Sequence, residues 1–547
     1  MVGIVALPLS MALAIASGVP PQVGLYTAIV AGVLVPLLGG SRWQVTGPTA
    51  AFVVVLAPIA ARFGLSGLLV ATVLAGLMLI AMGVLRLGKL IEFVPYPVTT
   101  GFTAGIGVVI ATLQVKDLLG LTIESPAPHF VERLGDIALA LPTTRLADVA
   151  IAALTLAVLL LWPKITRKVP SPLVALVVAA SAAWLASRVV PGFHVATIRD
   201  RFAFDAGDGR LLPGIPRQPP HPVLPWRVGG SGGPAAPFSF DMVRTLLPPA
   251  FAIAILGAIE SLLSATIADG MKGTKHDPDA ELVAQGIGNV VAPFFGGIAA
   301  TGAIARTATG IRSGARTPLA SAIHGVIVLA AMLALAPALG YLPMAALAAL
   351  LLVVAWNMSE PQHFMRLLRG APRADAAVLL ACFGLTVVFD MTVAVTAGML
   401  LSMMLFIKRM SDVFGIEPAA PDHPALREPL PPGIVLYEVA GPLFFGAAAK
   451  AVEALETVDR SARVVVLDLS AVPAVDATGI VHLEAAIEFL RRRRVAVILA
   501  GLRRQPARAL VQADWRHRLP DVRVVRRLER GIELARVHIG TDGTPPA

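Results

Sequence analysis

Apolar residues fill the first 410 positions in long blocks, with no alternation. The blocks fall at 2–17, 22–40, 48–62, 66–85, 97–114, 146–162 and 171–190, then at 245–268, 280–298, 303–314, 317–338, 342–357, 374–390 and 392–410. Most approach the roughly 20 residues that a membrane-spanning helix needs. Two fall short, 48–62 and 303–314, and each is third in its group of seven. Short segments at matching positions in two halves predict an inverted repeat with a binding site between the short helices. Segment lengths alone carry this symmetry, because the halves share little visible sequence.

The period changes near residue 411. After the polar, proline-rich stretch EPAAPDHPALREPLPP (417–432), GIVLYEVAGPLFFG reads as a strand, a turn and a helix start. VVVLDLS (464–470) and VAVILAG (495–501) read as buried strands, and GIVHLEAAIEFLRRRR (479–494) as a helix with a basic last turn that suits the helix dipole. This alternation predicts a small soluble α/β domain. The expected layout is an all-α polytopic membrane domain over 1–410, a linker over 411–430, the α/β domain over 431–540 and a disordered tail over 541–547.

Basic residues orient the chain. Arg86 and Lys89, Lys164 with Arg167 and Lys168, Arg312 and Arg316, and Lys408 and Arg409 all fall on one side, which is therefore the cytoplasm and holds both chain ends. Segment 191–241, rich in proline, glycine and arginine, lies outside, and long loops count for little in this rule. Met1 opens directly into apolar helix without a basic leader region, so a first membrane helix is expected, preceded by a short cytosolic segment, and not a signal peptide.

Composition narrows the class. Of 547 residues, 56% are hydrophobic and 15% charged, with a mean hydropathy of +0.77; soluble domains carry about 25% charged residues. The net charge of +10 comes from arginines at helix ends and in the C-terminal part, so it does not indicate a nucleic-acid partner. Cys382 is the single cysteine, which excludes an intrachain disulfide and a cysteine metal site. No nucleophile–base pair, phosphate loop or metal-ligand cluster stands out, and no cofactor is expected.

Two charges interrupt this hydrocarbon. Glu260 lies within PPAFAIAILGAIESLLSATIADG (248–270) and Arg306 within GGIAATGAIARTATGIRSG (296–314). A charge at membrane depth costs a few kcal/mol even on lenient scales, so both are functional candidates. QVTGPTAAFVVV (44–55) passes through Gly47 and Pro48 into helix, and GIAATGAIART (297–307) does so near Ala303. Both helices then begin in mid-membrane, where their N-terminal N–H groups form an anion site built from backbone. Ala50, Gly302, Ala303 and Ala305 are small enough to admit an anion, and Arg306 adds positive potential. The plainer alternative is that these small residues serve helix packing. Glu260 must be protonated or cation-paired for an anion to bind beside it, which makes it a coupling acid; a permanent Glu260–Arg306 ion pair is the alternative. Ser261 and Ser264 on the same helix offer oxygens for Na⁺, which leaves the coupling ion as H⁺ or Na⁺. Gln285 and Asn289 share a helix face and suit bridging between helices.

Several stretches resemble the sulfate permease (SulP) family of anion transporters: LPLSMALAIASGVPPQVGLYTAIVAG (7–32), QVTGPTAA (44–51), GFTAGIGVVIATLQVKDLLGL (101–121), LGAIESLLSATIADGMKGTKHDPDAELVAQGIGN (256–289) and, most specifically, GGIAATGAIARTATGIRSGARTP (296–318). The resemblance implies fourteen membrane segments in two inverted repeats of seven, divided into core and gate domains that move as an elevator. It places Thr49 and Ala50 opposite Ala303, Ile304 and Ala305 around the anion, with Arg306 behind. The coupling-ion site is expected at Glu260, Ser264 and Gly302. It also implies a homodimer in a bacterial plasma membrane.

VVVLDLSAVPAVDATGI (464–480) is similar to the STAS domain pattern, so the α/β domain is expected in the cytoplasm with a regulatory protein partner. Its regulatory turn is Asp476-Ala477-Thr478-Gly479, where Thr478 is the remaining hydroxyl. Leu9 and Leu13 stand where many eukaryotic members are more polar. Glutamate at position 260 resembles the proton-coupled members, whereas some sodium-coupled bicarbonate transporters carry aspartate there. The expected function is proton-coupled symport of sulfate, bicarbonate or a dicarboxylate. The alternatives are sodium-coupled bicarbonate symport, anion exchange and, outside transport, a membrane-anchored STAS regulator.

Overall fold

The computed structural model describes residues 1–91, 94–123, 127, 130–166, 169–205, 210–229, 239–389, 391–420, 423, 426, 428–444 and 461–541. Arg167, Lys168, the expected helix start after residue 444 and the tail 542–547 lie outside them. The chain forms two compact units, Met1–Met399 and Leu400–Ala547.

The first unit opens with α1 (Val2–Ala16), α2 (Pro21–Leu38), a two-residue strand β1 (Thr46–Gly47), α3 (Ala50–Val84), a short α4 (Gly88–Ile91) and α5 (Tyr96–Leu119). Next come α6 (Phe130–Ala140), α7 (Leu146–Ile165), α8 (Ser171–Val189), a short α9 (Ile198–Arg201) and the antiparallel pair β2 (Ala203–Asp205) and β3 (Leu211–Pro213). The second half runs through α10 (Phe240–Lys272), α11 (Pro278–Val291), β4 (Thr301–Gly302), α12 (Ile304–Arg312), α13 (Pro318–Leu339), α14 (Met344–Ser359), α15 (Pro361–Gly370) and α16 (Arg373–Val388), and α17 (Met391–Val413) begins in this unit and continues into the second. Each of the predicted apolar stretches falls on one of these helices or on part of one. Among the described residues, nine helical stretches are long and apolar enough to cross a membrane alone.

α3 is two helices joined at a kink. Gly64 breaks it with φ +67° and ψ −172°, a backbone conformation that glycine adopts without steric cost. The first piece is the short segment expected at 48–62, and its counterpart α12 has only 9 residues. Helix packing repeats between the halves: α2 packs on α13 as α3 packs on α11, and α7 packs on α14 as α16 packs on α5. Exchanging the two halves maps one pair of contacts onto the other, as the expected repeat requires. α6 and α15 were not expected. They are amphipathic, and their charged faces hide them from a search for unbroken hydrocarbon.

The second unit carries a five-stranded sheet in chain order, β5 (Gly415–Pro418), β6 (Ile434–Ala440), β7 (Val464–Ala471), β8 (Ala496–Ala500) and β9 (Arg523–Val524). β5 is antiparallel to β6 and the others are parallel. Helices α18 (Ala477–Arg492), α19 (Arg504–Gln512), α20 (Trp515–Arg518) and α21 (Leu528–Thr541) complete it. α18 to α20 contribute Ile487, Leu510 and Trp515 to the core on one face of the sheet, and α21 contributes Ala535 to the core on the other. β5 lies within the segment 411–430 read as linker, where its prolines mask an edge strand. Likewise α21 extends to Thr541, the first residue of the expected tail.

Candidate functional site

β1 and β4 meet antiparallel, Thr46 opposite Gly302 and Gly47 opposite Thr301. The Ala303 N–H donates to the Val45 carbonyl at 2.8 Å, and the Val45 N–H donates to Thr307 Oγ1 at 2.9 Å. Extended backbone inside a membrane protein needs such partners, and side chains supply the rest. Asn289 and Gln285 donate to the Ala300 carbonyl at 2.9 and 2.5 Å, and Asn289 Oδ1 accepts from the Ala300 N–H at 2.7 Å. The helix face bearing these two amides therefore holds the strand that leads into α12.

Two glycines at the crossing permit close approach. A Cβ added to Gly302 would stand 2.3 Å from Gln44 Nε2 and 3.1 Å from Ser261 Cα; one added to Gly47 would stand 2.6 Å from Arg306 Nη1. Gly302→Ala displaces Gln44 and spreads the crossing. Uptake per inserted protein is expected to fall on the order of tenfold, an overpacking cost, checked by flux in vesicles normalised to immunoblot.

From the crossing the chain enters α3 through Pro48 and Thr49, and α12 through Ala303. Neither N-cap residue gives its helix a side-chain cap. Thr49 is diverted: its Oγ1 donates to Glu260 Oε2 at 2.8 Å. Arg306 is 3% exposed, and its Nη2 donates to the Pro48 carbonyl, tying α12 to the start of α3. Its Nη1 has no hydrogen-bond partner among the described residues. Among the described residues, no ion pair within 4.0 Å joins Arg306 to Glu260.

These groups border one cavity of about 410 Å³. Thr49, Ala50, Gly302, Ala303, Ile304, Ala305, Arg306 and Glu260 line it, as do Leu9 and Leu13 of α1. α5 adds Thr99, Thr100 and Thr103, and α14 adds Asn357. Those hydroxyls were missed, although threonines at 99, 100 and 103 in the first turns of a span were a visible signal. Ser264 does not reach the cavity lining. Its hydroxyl donates to Thr307 at 3.3 Å, while Ser261 is held between Gln44 and Glu281. Among the described residues, no group of three His, Cys, Asp or Glu side chains could hold a metal ion.

Sequence models place this arrangement. One described as the sulfate permease family matches residues 1–382, and one described as the STAS domain matches residues 427–526. The chain belongs to the sulfate permease family. This sulfate permease family member is a multi-pass membrane transporter with a C-terminal STAS domain. It is 40% identical over 519 residues to a protein of Bacillus subtilis (strain 168) named "Putative sulfate transporter YvdB", covering 95% of this chain and 93% of that one. It is 29% identical to the bicarbonate transporter BicA of Picosynechococcus sp., covering 97% of this chain and 92% of that one. The structure of the murine Slc26a9 anion transporter in the inward-facing state matches with a TM-score of 0.83 over 98% of this chain and 90% of that one. At 19% identity that likeness concerns the fold.

In the STAS domain of this family member, Asp476 caps α18, its Oδ1 accepting from the Gly479 N–H at 2.6 Å. Thr478 is exposed in the first turn beside it. Asp476→Ala is expected to destabilise the C-terminal unit by about 1 kcal/mol, the usual worth of such a cap, read as a shift in its denaturant midpoint.

Proposed function

We propose that the protein is a secondary active transporter that carries a small anion together with a proton. The anion is held between the N-terminal ends of α3 and α12 and moves with them in an elevator displacement. One observation supports this most: two helix N-termini without side-chain caps open on the same cavity, with Arg306 behind them and Glu260 beside them. The first N–H groups of a helix lack intrahelical acceptors and sit at its positive dipole end. Thr49 and Ala50 begin one such end; Ala303, Ile304 and Ala305 begin the other. The Ala303 N–H is committed to Val45, so the donors of α12 are Ile304 and Ala305.

Glu260 couples the proton to the anion. An ionised carboxylate repels an anion at this range, and a neutral one does not. Protonation therefore favours loading, and a more acidic exterior should drive uptake. Sodium coupling receives less support, because Ser264 and Ser261 are engaged elsewhere. The relatives' names make sulfate and bicarbonate the first anions to test, with dicarboxylates next. A homodimer, and a cytosolic protein partner for the STAS domain through Asp476 and Thr478, belong to the same reading on family resemblance alone.

Full-length protein in liposomes should accumulate labelled sulfate or bicarbonate against its gradient. Flux of neither, nor of a dicarboxylate, would favour the regulator reading.

A further inference from the structure

Glu281 has no part in that reading, yet at 1% exposure it is the least exposed acidic side chain among the described residues. It sits in the first turns of α11. Its Oε2 accepts from the Ser41 N–H at 2.9 Å, and its Oε1 accepts from the Ser261 hydroxyl at 3.3 Å. Ser261 Oγ in turn accepts from Gln44 Nε2 at 2.6 Å. Three side chains, from α11, α10 and the segment leading into β1, thus form one chain, Glu281 to Ser261 to Gln44. Its far end lies on the crossing, because the Gln44 amide occupies the space that a side chain at position 302 would need. Gln44 also adjoins Val45, whose N–H and carbonyl bind Thr307 and Ala303.

We propose that Glu281 is a positioning residue for the anion site: through Ser261 it holds Gln44 against Gly302, and so sets the spacing of the two half-helix N-termini. The inference rests on reading that cavity as an anion site. The chemistry calls for a carboxylate. The Ser41 N–H and the Ser261 hydroxyl both donate to it, and an ionised carboxylate only accepts. An amide at this position would turn N–H groups toward other donors. Ser261 passes the constraint on because a hydroxyl accepts from Gln44 while donating to Glu281.

The test compares purified full-length wild type with Glu281→Gln, Ser261→Ala, Gln44→Leu and the Ser261→Ala/Gln44→Leu double variant. Each is melted across a concentration series of sulfate and, separately, of bicarbonate. The readout is the anion concentration giving half of the maximal thermal shift, apart from the melting temperature without anion. Each single variant is expected to raise that concentration roughly tenfold, and the double variant no further, as residues of one network behave. Should Glu281→Gln not fold, the two neutral substitutions carry the test. Unchanged half-saturation with a lowered melting temperature would reduce the chain to a structural brace and overturn the proposal, as would fully multiplying single effects. A wild type that responds to neither anion, nor to a dicarboxylate tested in the same way, while folding normally, would sink the anion-site reading and this inference with it. The two failures are thereby distinguishable.

Discussion

Glu260→Gln should abolish proton-driven accumulation of the anion while leaving the protein in the membrane at wild-type levels. The substitution keeps the shape of the side chain and an acceptor for Thr49 Oγ1, which now donates to Glu260 Oε2 at 2.8 Å. What it removes is the exchangeable proton. The crossing, held by Val45, Thr307, Asn289 and Ala300, does not involve the Glu260 carboxyl, so the anion site remains. A coupling free energy of about 1–3 kcal/mol corresponds to a 5- to 150-fold effect on accumulation, and the variant should lose all of that driven component. Uptake that remains should no longer rise as the external pH is lowered, which flux measured across an external pH series would show. Because the amide is permanently neutral, binding of the anion itself should persist.

Arg306→Met should weaken the anion site itself. Arg306 does two things at once: its Nη2 donates to the Pro48 carbonyl, and its charge stands behind the start of α12 in the cavity wall. Methionine fills much of the volume but leaves that buried carbonyl unpaired, at a cost of about 1–3 kcal/mol. It also deletes the positive potential. The half-saturating anion concentration should rise about tenfold or more, since 1.4 kcal/mol corresponds to a factor of ten. Arg306→Lys should not restore it, because a compact ammonium cannot hold the Pro48 carbonyl with the geometry of a planar guanidinium. Uptake measured over a range of anion concentrations separates this effect, which lies in KM, from that of Glu260→Gln, which lies in coupling.

Much of this site was visible in the sequence because membranes penalise what they do not need. A lone Glu260 and a lone Arg306 stand out against hydrocarbon, and Gly47-Pro48 and Gly302-Ala303 mark where helices start late. The short lengths at 48–62 and 303–314 survive as the first piece of α3, ended by Gly64, and as α12. Side-chain direction was not visible. Ser264 lies one turn beyond Glu260 and by spacing shares its face, but Thr307 from α12 meets its hydroxyl instead. Glu281 was hidden by the charged stretch HDPDAE around it. Only the fold carries it inward, onto Ser41 and Ser261. β5 was hidden in the same way, since an edge strand of 4 residues that ends in Pro418, with prolines following at 421 and 424, has the composition of a linker.

The most direct test is to reconstitute the full-length protein in liposomes loaded with a pH-sensitive dye and impose an inward gradient of sulfate or bicarbonate without Na⁺. Internal acidification should follow one of these anions and disappear in Glu260→Gln. Anion uptake that requires Na⁺, or that leaves the internal pH unchanged in the wild type, would contradict this expectation.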